Sequence, residues 1–74
     1  MKIPIRGDDT FNPSHFEVEK VPESSGCPEE RYLVIDDSQL TVSNLTVILM
    51  ANRYTYGLTV DEGGVLEFVQ LGDW

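Results

Sequence analysis

No charged side chain occurs between Ser38 and Asn52 of this 74-residue chain. Charges are frequent on both sides of that stretch. Its fifteen residues are too few, and with scattered Ser, Thr, Gln and Asn too polar, to span a bilayer. Val42, Leu45, Leu49 and Asn52 recur at three- and four-residue spacing, and Ile48 widens the stripe. That spacing predicts a helix over 38–53, started by Asp36-Asp37-Ser38, because Asp and Ser are good N-caps and carboxylates favour the positive helix end. Thr41, Val42, Thr46, Val47 and Ile48 are β-branched and lower helix propensity. Two strands turning at Ser43-Asn44 are therefore the competing reading.

The flanks alternate with period two. Lys2–Ile5 reads as a short strand, which Pro4 would confine to a sheet edge. Turns follow at Arg6-Gly7-Asp8-Asp9 and Asn12-Pro13-Ser14. Over 15–21, Phe16 and Val18 fall on one face and Glu17 and Glu19 on the other, the pattern of a half-buried strand. Residues 22–30 form a loop, and 31–35 (Arg-Tyr-Leu-Val-Ile) are the strongest strand of the first half, able to pair with 15–21. Tyr54, Tyr56, Leu58 and Val60 alternate with small and polar residues. Asp61-Glu62-Gly63-Gly64 supplies a turn, and Val65–Leu71 returns as a strand. A four-residue loop there sets Phe68 opposite Gly57. Gly72-Asp73-Trp74 is a tail, with Trp74 either folded back on the core or exposed. The expected order is β-β-β-α-β-β: a small α+β single domain over 1–74, one helix on a mainly antiparallel sheet.

Five Lys and Arg stand against thirteen Asp and Glu, a net charge of −8. Such a chain lacks the cations that hold phosphates or an anionic membrane surface, so direct nucleic-acid and membrane binding are not expected. The lone Cys27 excludes a disulfide framework and suits a reducing compartment. With no apolar leader segment near Met1, the expected location is the cytoplasm. A small chain with this much self-repulsion has marginal stability, which a charge-cancelling partner or a homodimer would relieve.

No motif names a reaction. His15 and Cys27 are too few for a zinc site. As a nucleophile pair they are handicapped, because Glu29 and Glu30 beside Cys27 would raise its pKa. The acidic doublets Asp8-Asp9, Glu29-Glu30, Asp36-Asp37 and Asp61-Glu62 lack the spacing of a calcium loop. Gly63-Gly64 has no following helix or lysine to make a phosphate loop. Arg6-Gly7-Asp8 and Asn44-Leu45-Thr46 match the integrin-binding and glycosylation tripeptides, which have no use in a cytoplasmic chain. The expectation is a protein that is not an enzyme, with no catalytic residue, metal or cofactor.

The charge pattern says more. Nine acids fall in 1–37, none in 38–60 and four in 61–74. Duplex DNA carries one charge per roughly 1.7 Å of axis, and neighbouring doublets approximate such a density. Glu17, Glu19, Glu29, Glu30, Asp36, Asp37, Asp61 and Glu62 are the candidate contact residues, and a basic DNA- or RNA-binding protein is the candidate partner. In size, charge, acidic doublets and α+β order the chain resembles the small acidic bacteriophage proteins that inhibit host nucleic-acid enzymes or chromatin proteins, some by imitating DNA. That class includes uracil-DNA glycosylase inhibitors, anti-CRISPR proteins and inhibitors of nucleoid proteins or RNA polymerase. The resemblance implies a non-enzymatic inhibitor acting in a host cytoplasm. Glycosylase inhibitors of one kind use a Glu-Ser pair on a strand edge. Glu23-Ser24 is such a pair here, placed in a loop after Pro22, and no role is carried over to it. Two alternatives stand beside this reading. One is a structural or adaptor module of a phage or bacterial assembly, contacting through Tyr54, Tyr56 and Trp74. The other is an immunity or antitoxin protein that neutralises a basic toxin.

Overall fold

A computed structural model describes residues 1–72; Trp74 lies outside the described residues. Five strands and one helix follow in the order β1 (Lys2–Arg6), β2 (Glu17–Val21), β3 (Glu30–Val34), α1 (Val42–Ala51), β4 (Tyr56–Val60) and β5 (Leu66–Gln70). The strands form one sheet in the spatial order β2-β3-β1-β5-β4. β1 lies antiparallel to β3 and parallel to β5, and the other two pairings are antiparallel. The α+β class and the element order are those read from the sequence.

Alternation decides which side chains meet. Ile3, Ile5, Leu33 and Phe68 project to one face and are buried with Ile35, Tyr56 and Ile48. Helix α1 and the 7–16 loop cover that face. Phe11 from the loop packs edge-on to Tyr56, ring centroids 5.2 Å apart, and lies 5.0 Å from Phe68. Buried Asn52 ties loop to helix: its Oδ1 accepts from Asn12 N (2.7 Å), and its Nδ2 donates to the Asn12 and Ile48 carbonyls (2.8 Å each). The opposite face, with Lys2, Pro4, Arg6, Glu17, Glu19, Tyr32, Val34, Glu67 and Val69, has no helix over it.

Four expectations are corrected. Pro4 sits in the central strand, not at an edge. The bond from Ile35 N to Met1 O (3.0 Å) makes Met1–Ile35 a hydrogen-bonded pair. By antiparallel alternation the Pro4–Tyr32 pair is then a non-bonded one, with the Pro4 nitrogen aimed away from β3. On the other side the β5 ladder pairs only Ile5 and Arg6, past the proline. The β1–β3 ladder therefore keeps its donors, and the missing N–H falls on the β5 side, where it ends the short parallel ladder at Ile5.

The helix begins later than Ser38. Asp37–Gln39 form a separate 3-10 turn, and Leu40 breaks the direction. Thr41 is the N-cap of α1, its Oγ1 accepting from Asn44 N at 3.1 Å. Val42 thereby becomes the first helical residue and is 82% exposed rather than part of the core stripe. Ile48 is the fully buried centre of that stripe. Arg53 and Tyr54, both with left-handed φ (54° and 57°), stop the helix and turn the chain into β4.

The β4–β5 register differs by one residue from the expected one. Asp61 N donates to Val65 O at 2.9 Å, leaving the three-residue loop Glu62-Gly63-Gly64, with Gly64 at φ +78°. Phe68 therefore pairs with Leu58 and enters the core, while Gly57 pairs with Val69. Leu71, not Phe68, lies over Gly57: its Cδ2 is 3.3 Å from where a Cβ would stand. Finally, β2 starts at Glu17, because Ser14 and His15 have positive φ (48° and 67°) and cannot extend the strand.

Candidate protein-binding surface

Strand directions sort the acidic residues into two ends of the sheet. β1 and β5 start at the same end, where β3 finishes and β2 begins. Glu17, Asp36, Asp37 and the Asp61-Glu62 turn therefore lie along one end, reaching from edge strand β2 to edge strand β4. Five strands spaced at about 4.8 Å make that row roughly 19 Å wide. Along it run five carboxylates, approaching half the charge density of duplex DNA over the same length. The residues of the row are exposed. Asp36 uses its backbone N–H on Gln39 Oε1 (3.2 Å), closing the turn that holds the exposed Asp36-Asp37 pair at this end. Asp61 Oδ1 accepts from Gly63 N and Val65 N (2.9 Å each), fixing the turn that carries Glu62. Val42, at the start of α1, adds an exposed apolar side chain at this end.

Glu29 and Glu30 are placed at the opposite end, at the start of β3, and do not join the row. Glu30 accepts a hydrogen bond from the Tyr32 hydroxyl, and that bond is the leading reason the Tyr32 pKa is raised. Glu19 lies on the uncovered face beside Lys2. Its Oε2 is screened from solvent and stands 2.6 Å from Lys2 Nζ, without hydrogen-bond alignment. Arg6 Nε similarly stands 3.5 Å from Glu67. These pairs offset much of the negative charge of the uncovered face, which makes the row at the sheet end the more acidic surface. Lys2 was legible in the sequence as a strand residue, whereas Arg6, expected in the following turn, is the last residue of β1. Their effect on Glu19 and Glu67 needed the strand order.

The Asp8-Asp9 doublet is engaged internally. Arg31, its side chain 10% exposed, donates to the carbonyls of Gly7 and Asp8 and stands 3.4 Å from Asp9 Oδ1. Lys20 reaches Asp9 Oδ2 at 3.1 Å. Lys20 and Arg31 are direct cross-strand neighbours, so Asp9 relieves a like-charge pair. Asp8 Oδ1 accepts from the Thr10 N–H and hydroxyl and from the Tyr56 hydroxyl (3.1 Å), and Asp8 N donates to Gln70 Oε1 (2.9 Å). Hydrogen bonding led by Thr10 and then Gln70 lowers the Asp8 pKa to about 2. Desolvation raises that of Tyr56. The Arg6-Gly7-Asp8 tripeptide is thus part of an internal network, with the Asp8 carboxylate already occupied.

Among the described residues no cluster of three or more His, Cys, Asp or Glu is arranged to hold a metal ion, and no helix is long and apolar enough to cross a membrane. Cys27 is exposed in a tight turn closed by its two backbone bonds to Ser24 (3.1 and 2.9 Å). Glu23-Ser24 enters this turn, not a sheet edge. No family model, curated protein or solved structure matches the sequence or the fold.

Proposed function

We propose that the chain is a non-enzymatic inhibitor or modulator that docks its acidic sheet end on the basic, nucleic-acid-binding surface of another protein. The observation that carries this reading is the gathering of Glu17, Asp36, Asp37, Asp61 and Glu62 along one end, while most of the cations lie elsewhere. Lys20, Arg31, Arg6 and Arg53 belong to the other half of the sheet, and Lys2 is engaged by Glu19. A field directed along the strands speeds and orients encounter with a basic partner. Exposed Val42 supplies an apolar contact inside the charged rim. The partner class is a DNA- or RNA-binding protein, and the place of action is the cytoplasm, that of a host if the chain comes from a phage.

The test is capture of partners from bacterial lysate by the tagged chain at low salt, with and without excess duplex DNA. One basic partner displaced by DNA and by salt is the expected result. Asp36→Lys with Asp37→Lys should abolish its capture, whereas Glu29→Lys with Glu30→Lys, at the far end, should leave most of it. A partner indifferent to DNA and salt would overturn this reading in favour of an adaptor held by apolar contacts.

A further inference from the structure

The two edges of the sheet are built differently. Edge strand β2 carries Glu17, Glu19 and Lys20, the charged residues that keep an edge from pairing with other chains. Edge strand β4 is Tyr-Gly-Leu-Thr-Val, with no charge and no proline. Its hydrogen-bonding direction is fixed by two bonds that bracket it. Leu71 N donates to Thr55 O (2.8 Å) and Asp61 N to Val65 O (2.9 Å), so Thr55, Gly57, Thr59 and Asp61 face β5. By antiparallel alternation the N–H and C=O groups of Tyr56, Leu58 and Val60 point outward. Among the described residues nothing bonds to these groups.

We propose that β4 pairs with β4 of a second copy of this chain, antiparallel about a two-fold axis at Leu58, joining two sheets into one of ten strands. Three observations select this occupant. An antiparallel edge is self-complementary, and centring on Leu58 sets Leu58 against itself and Tyr56 against Val60, so all the outward groups are bonded. Val60, 61% exposed in the single chain, is covered by the pairing. Charge is complementary too. Two chains of net charge −8 repel, but the region 38–60 holds a single charge, Arg53, in the turn three residues before β4. Antiparallel pairing carries each Arg53 toward the Asp61-Glu62 turn of the other copy. The inference does not depend on the inhibitor reading.

The experiment is sedimentation equilibrium over rising protein concentration, with amide hydrogen exchange followed residue by residue. A dimer is expected, with the Tyr56, Leu58 and Val60 amides gaining protection as it forms. Val60→Pro removes an outward N–H that bonds to nothing within the chain, and should weaken the dimer roughly ten-fold or more while the monomer stays folded. Arg53→Glu should weaken it as well, and Arg53→Glu with Glu62→Lys should restore it, which keeps the proposal testable if the proline variant fails to fold. A chain that stays monomeric at the highest concentration overturns the proposal. So does a dimer whose β4 amides exchange as in the monomer, or one indifferent to the charge swap.

Discussion

Two aspartate doublets of identical composition have opposite fates. Asp8-Asp9 folds against Arg31, Lys20, Tyr56 and Gln70, and its carboxylates hold the 7–10 loop to the sheet. Asp36-Asp37 closes a 3-10 turn through the backbone and leaves its carboxylates to solvent. The difference is not in the aspartates. It lies in which cations the strand order brings near: Lys20 and Arg31 meet side by side at one end of the β2–β3 ladder, and no cation pairs with Asp36 or Asp37 among the described residues. An acidic doublet is free to meet a partner only where the fold leaves it without an internal one.

This contrast can be broken most forcefully at Arg31. Arg31→Met strands the Gly7 carbonyl, leaves the Asp8 carbonyl to the Tyr56 hydroxyl alone (2.9 Å) and leaves Asp9 with Lys20 alone. Unfolding by denaturant should show a loss of about 2–3 kcal/mol. An unchanged midpoint would mean the doublet is not held by this side chain. Next comes Gly7→Ala. The residue has φ +147°, and an added Cβ would stand 2.5 Å from Gln70 Cβ. A loss of roughly 1–3 kcal/mol is expected, together with loss of the Asp8 N–Gln70 bond, visible as faster exchange of the Asp8 amide.

Acid titration sharpens the comparison further. The Asp8 carboxyl is lowered from 3.8 to about 2. A depressed carboxyl stabilises the fold fully above its unfolded value, and that contribution fades as pH falls from near 3.8 through about 2. Thr10→Val removes the leading hydrogen bond, so the Asp8 carboxyl should titrate at higher pH and acid unfolding should begin earlier. Identical NMR titration curves for Asp8 in the two proteins would refute the assignment. The smallest effect on stability belongs to the other doublet. Asp36→Asn with Asp37→Asn should change unfolding by less than about 0.5 kcal/mol, even though these positions carry the proposed partner contact.

Much of the fold was legible. Period-two alternation in 15–21 and 54–60 assigned strands and faces, the run 31–35 marked a third strand, and the Asp-Glu-Gly-Gly turn announced the last hairpin. The parts that were missed share a cause. Thr41 outcompetes Asp36 and Ser38 as the cap because Leu40 redirects the chain between them, so Val42 leaves the core. Pro4 is tolerated in the central strand because its missing N–H points away from β3 and only shortens the parallel pairing with β5. The β4–β5 register turned on whether Asp61 paired with Val65, and a one-residue difference exchanged Phe68 for Val69 opposite Gly57. For the candidate site, the sequence named the acids but not their grouping. Glu29 and Glu30 left the row because β3 runs from one end of the sheet to the other, placing them a strand's length from Asp36 and Asp37.

By itself the sequence determined the local elements, the face of each strand residue and the excess of negative charge, since these follow from short-range periodicity and composition. Only the tertiary structure decided which carboxylates stand together, which are neutralised and which edge stays open. Those properties depend on strand order and direction, set by the insertion of β1 between β3 and β5. That pairing joins residues more than sixty positions apart, such as Ile5 and Phe68, and no local pattern encodes it.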